Sequence, residues 1–92
     1  MKIDYDDENS IVKLSDMFLA SALLSEYEDA LELKGTVEND EKPGQKLFIL
    51  HGDLQIVKDA VSRFFNNRFS VSNLQGMSDK FRDLKHKLFD VQ

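Results

Sequence analysis

Two histidines and a dense population of carboxylates are the residues of this chain best equipped for chemistry. His51 and Asp53 flank Gly52 where an apolar run gives way to helical spacing, and at such a junction unpaired backbone amides can hold a substrate beside an acid or base. A simpler account covers two of the three: Gly52 makes the turn and Asp53 caps the helix behind it. His86 stands between Lys85 and Lys87 with no second ligand at a convincing spacing, and two histidines make no ordinary metal shell without carboxylate help. Glu26, Glu28, Asp29 and Glu32 are numerous enough for a hard cation, yet they lack the order of acids and glycine found in a calcium loop. The four glycines, Gly35, Gly44, Gly52 and Gly76, are scattered and form no phosphate cradle, and no nucleophile motif is present. The absence of cysteine excludes disulfides, thiolate metal sites and cysteine nucleophiles. A non-enzymatic protein with no metal, cofactor or small-molecule substrate is the expectation.

Two segments point to binding instead. Phe64, Phe65 and Phe69 lie among Arg63, Arg68 and two asparagines, residue types that also stack on single-stranded nucleic acid. Helical spacing assigns the phenylalanines to the core, but Phe64 and Phe65 differ by about 100° around a helix, so only one of them can point fully inward. Leu74, Met77, Phe81, Leu84 and Leu88 form a stripe at three and four residue intervals, and Phe89 widens it beyond what a core stripe needs. Lys80, Arg82, Lys85 and Lys87 occupy the same helix. The candidate interaction residues are therefore Arg63, Phe65, Arg68, Lys80, Arg82, Lys85, Lys87 and Phe89.

The elements that position them follow from the periodicity. Ile11, Val12 and Leu14 fit a brief strand, Ser15 or Asp16 can cap a helix, and Phe18, Leu19, Ala22 and Leu23 give that helix an apolar side ending near 25–27. Leu31, Leu33, Gly35 and Val37 alternate with polar residues as a strand with one wet face requires. Residues 39–45, with the single proline, read as the loop of a hairpin whose second strand is the apolar run 46–50. Leu54, Val57, Ala60, Val61 and Phe64 predict a helix closed by Asn66 or Asn67 in the left-handed conformation. Phe69 and Val71 suit an extended connector, and Ser72 or Asn73 opens the last helix. Residues 1–9 lack sustained periodicity and are expected to be a flexible acidic lead-in, with Ile3 and Tyr5 allowing a short edge strand. Residues 10–92 are expected to form one α+β domain, a small antiparallel sheet with a central hairpin packed by about three helices.

The order of these residues resembles a family of short bacterial and phage domains of unknown function. The resemblance covers roughly residues 11–89 and rests on PheLeuAla at 18–20, LeuPheIleLeu at 47–50, PhePheAsnAsn at 64–67 and LeuLys at 84–85. It implies a fold and a bacterial or phage origin, and it transfers no activity.

With 92 residues and 41% hydrophobic content, the chain suits a single domain with a real core. Its net charge of −5 is unevenly distributed, since residues 1–46 hold five lysines and twelve acids and residues 47–92 hold seven bases and five acids. This balance argues against general nucleic-acid binding but permits a local basic patch in the second half. No run approaches a membrane span, and residues 1–10 are acidic rather than a basic stretch followed by an apolar run, so an unprocessed cytoplasmic protein is expected. The composite expectation is a protein-interaction module, with a protein partner or a homodimer favoured over nucleic acid, using the last helix or the hairpin edge. The alternatives are nucleic-acid binding through the basic half and an acidic mimic of nucleic acid that inhibits a basic protein.

Overall fold

The computed structural model describes residues 2–66 and 74–90, with the side chains of 75–86 in the last helix. The chain is α+β, as its periodicities predict. Strands β1 (Ile3–Asp6), β2 (Ile11–Leu14), β3 (Leu31–Glu38) and β4 (Lys46–Gly52) form one antiparallel sheet in the order β1-β2-β4-β3. Helices α1 (Met17–Glu26), α2 (Leu54–Phe65) and α3 (Leu74–Asp90) accompany it. Two hairpins therefore lie side by side, β1–β2 and β3–β4, joined through the pairing of β2 with β4 and by the passage of the chain through α1. Ile3 and Tyr5 belong to the edge strand their spacing allowed.

The register sorts side chains onto two faces. Leu50 lies opposite Val12 and Leu33, and Phe48 opposite Leu14, and these apolar groups face the core beneath the helices. Helix α1 is buried at six consecutive positions, 19–24, so over that stretch it carries no wet face, while its first turn stays open at Phe18. Ser21 is tolerated there because its Oγ donates to the Met17 carbonyl at 2.6 Å. Helix α3 lies against α1 and contributes Met77 and Leu84, while α2 buries Leu54, Val57 and Ala60. Among the described residues no buried side-chain polar atom lacks a partner.

Four expectations are corrected. The alternation along β3 breaks at Lys34, an extra residue between the pairs Leu33–Leu50 and Gly35–Ile49. The bulge brings Thr36 opposite Phe48 and turns Val37 outward, where it is 38% exposed. Phe18, assigned to the buried side of α1, is 48% exposed. Asn66 ends α2 with φ −98° rather than a left-handed angle; its N–H donates to the Ser62 and Arg63 carbonyls, and its Nδ2 to Ser62, so no reversal is needed. Phe81, within the expected apolar stripe of α3, is also part-exposed. Asn67, the connector at Phe69 and Val71, and the cap at Ser72 or Asn73 lie outside the described residues.

Gly52 shows why a glycine must leave β4. Its φ is +149° and a Cβ there would lie 1.9 Å from the Ala30 carbonyl oxygen, so only glycine lets the strand close against the turn after α1.

Candidate functional site

Three phenylalanines from two helices meet at one corner of the molecule. Asp16 caps α1 by accepting from the Leu19 N–H at 3.0 Å, which fixes the first turn and the position of Phe18 within it. Asp53 does the same for α2, its Oδ1 accepting from Gln55 at 3.0 Å and Ile56 at 3.4 Å. The Phe18 and Phe64 rings, one from each helix, lie 6.4 Å apart, tilted by 45°. Phe65 then meets Phe64 edge to face at 5.8 Å and 80°, the geometry that the ring quadrupole favours. Phe64 is half-buried and packs on the core, whereas Phe65 is 61% exposed. The 100° step between successive helix positions has divided the pair as expected. Phe18 and Phe65 thus flank an anchored ring with two exposed ones.

Arg63 serves the scaffold. Its Nη2 donates to the Tyr27 hydroxyl at 2.7 Å, tying α2 to the residue that closes α1. On α3, Lys80 borders a cleft of about 310 Å³ whose floor is Leu24, Leu31 and Leu84 and whose rim includes Glu28 and Asp83. Glu28 and Glu32 from the first half of the chain and Asp83 from the second line the same cleft. Arg82 and Lys85 are exposed and share a face, about 60° apart, while Lys80 lies about 140° to 200° from them, so the three bases do not converge. The Arg82 guanidinium has Asp79 for a neighbour at 3.8 Å. Arg68 lies outside the described residues, as do the side chains of Lys87 and Phe89. Of the eight candidates, Arg63 and Phe65 both lie on α2, but about 200° apart around it, Arg63 toward Tyr27 and Phe65 against Phe64. Phe18 is the member that spacing missed, because a helix with no wet face over 19–24 has no apolar stripe from which an outward residue would stand out.

The carboxylate and histidine groups fall into different roles. Asp53 is committed to its cap. His51 Nδ1 stands 3.7 Å from Glu32 Oε1 across the β4–β3 ladder, and Glu32 also meets Lys34 at 3.2 Å. Among the described residues no group of three His, Asp or Glu side chains is placed to hold a metal. The hairpin edge is occupied by β3, whose bulge and paired Glu32 and Lys34 blunt it against strand addition. Charges of the first half are spent within the fold at several points: Asp7 pairs with Lys58 of α2 at 2.8 Å, and Glu41 with Lys2.

No protein family, curated protein or solved structure matches the chain. Among the described residues no helix is long and apolar enough to cross a membrane.

Proposed function

We propose that the protein is a non-enzymatic protein-interaction module whose contact surface is the aromatic corner of Phe18, Phe64 and Phe65. The observation that carries this reading is the exposure of two large rings on a rigid third. Exposed aromatics clustered around a half-buried one packed on the core are the kind of side chain that dominates interface energies, since they bury large area at little conformational cost. The bases of the second half support nucleic-acid binding less well, because Arg63 is bonded to Tyr27 and Lys80 lines a cleft together with Glu28, Glu32 and Asp83. An acidic mimic fares no better where the acids are paired with lysines.

The test uses wild-type protein and a Phe18→Ser/Phe65→Ser variant as baits in extract from the native cell, with an Arg82→Glu/Lys85→Glu variant as control. A protein retained by the wild type and the control but lost by the aromatic variant is expected. Equal retention by all three baits overturns the reading. Binding of a mixed-sequence single-stranded oligonucleotide at ~50 mM salt, lost as salt rises, replaces it with the nucleic-acid alternative.

A further inference from the structure

The two edges of the sheet are unlike: β3 is eight residues long, and β1 is half that length. Strand β1 is four residues long, pairs with β2 alone, and contributes only Ile3 to the margin of the core. It is joined to β2 by a short turn, and Ser10 at the end of that turn has φ +56°. A serine in the left-handed region is strained, because its Cβ crowds the backbone where glycine would not.

We infer that β1 is an exchangeable strand, which two copies of this chain pass to each other's β2 edge. Every contact that holds β1 in the monomer is remade after exchange. The register Ile3–Leu14, Asp4–Lys13, Tyr5–Val12 and Asp6–Ile11 is retained, as is the reciprocal tie between the Lys2 and Ser15 residues, at 2.9 Å to the hydroxyl and 3.0 Å to the carbonyl. The Lys58 ammonium, 5.3 Å from the Tyr5 ring centroid, receives the incoming strand as it held the original one. What changes is the turn. Opening it releases Ser10 and gives up the bonds from the Asn9 backbone N–H at 3.2 Å and Nδ2 at 2.9 Å to the Asp6 carboxylate, and it loosens the Gly52 N–H bond to the Ser10 carbonyl at 3.0 Å and the Lys58–Asp7 pair at 2.8 Å, which also hold the turn. Exchange therefore rests on strain in the hinge and on protein concentration, the ordinary conditions for domain swapping. The occupant of the vacated edge is a second copy, because only that sequence carries the matching register by construction. The inference is independent of the aromatic corner.

Because the chain has no cysteine, one engineered pair reports the exchange. Asp4 and Lys13 lie directly opposite each other, so an Asp4→Cys/Lys13→Cys variant refolded reduced, then oxidised, forms a disulfide within one chain if unswapped and between two chains if swapped. A covalent dimer is expected on a non-reducing gel, above that of Asp4→Cys alone and increasing up to ~1 mM protein. Adding Ser10→Gly, which removes the strain, should cut its fraction at least about fivefold. Adding Phe65→Ser should leave it unchanged, which separates this dimer from one formed through the aromatic corner. Intrachain disulfide alone at every concentration overturns the inference, as does a dimer insensitive to Ser10→Gly. If the thiols fail to join, the light-scattering mass of the cysteine-free protein refolded at ~1 mM and then diluted decides: a persistent dimer weakened by Ser10→Gly upholds exchange, and a monomer overturns it.

Discussion

The aromatic corner and the last helix both offer residue types that bind partners, but they differ in what the rest of the fold does with them. At the corner, Phe64 is held by the core and leaves Phe18 and Phe65 exposed beside it. On α3, Lys80 lines a cleft with Glu28, Glu32 and Asp83, Arg82 has Asp79 nearby, and Arg82 and Lys85 share a face that points away from Lys80. Side chains clustered by sequence thus need a common direction before they form a surface. The meeting of α1 and α2 supplies it for the phenylalanines, and along α3 Lys80 faces away from Arg82 and Lys85.

The largest expected effect separates binding from stability at the corner. Phe18→Ser/Phe65→Ser should weaken a partner complex at least about 30-fold, measured by calorimetric titration, because truncating central aromatic anchors removes about 2 kcal/mol or more. Phe64→Ala should instead lower unfolding free energy in urea by about 2 kcal/mol, since this ring packs on the core. Arg63→Ala, losing the bond to Tyr27, should cost about 1 kcal/mol of stability by the same method and change affinity little. Arg82→Glu/Lys85→Glu should alter stability by less than about 0.5 kcal/mol and leave affinity within about twofold, and a larger loss of binding would reverse the ranking of the two regions.

The smallest effect provides a control lying outside both regions. Hydrogen bonds from the Asn9 side chain and backbone hold the Asp6 carboxyl below its usual range. Its folded value is lowered, so its contribution is fully present above the unfolded value near 3.8 and lost as pH falls through the folded one. Amide exchange in β1 should therefore accelerate with acid faster than the intrinsic rate predicts, and Asp6→Asn should remove that dependence. The near-ultraviolet signal of the phenylalanines should not follow Asp6, which shows the corner to be independent of the edge strand.

Much of this was legible in local spacing. Asp16 and Asp53 announce their helices because a short acceptor precedes each apolar periodicity, and the β3–β4 hairpin follows from a period of two interrupted by a proline-bearing loop. The outward turn of Val37 was not legible: an alternating pattern carries no mark of one extra residue, and the bulge at Lys34 arises from pairing with β4. The site was readable by halves. The angular step told that Phe64 and Phe65 must part, but Phe18 becomes their neighbour through a contact 46 positions away in sequence, which no local period records. The same limit applies to the bases, whose types are visible in the chain and whose surroundings are set by tertiary packing.

The most direct test of the aromatic corner as the contact surface is photo-cross-linking in the native cell with benzoylphenylalanine placed at position 65 or at position 82. A discrete protein adduct from position 65, absent or much weaker from position 82, is the predicted result. Adducts formed from position 82 alone, or nucleic acid rather than protein joined at position 65, would contradict it.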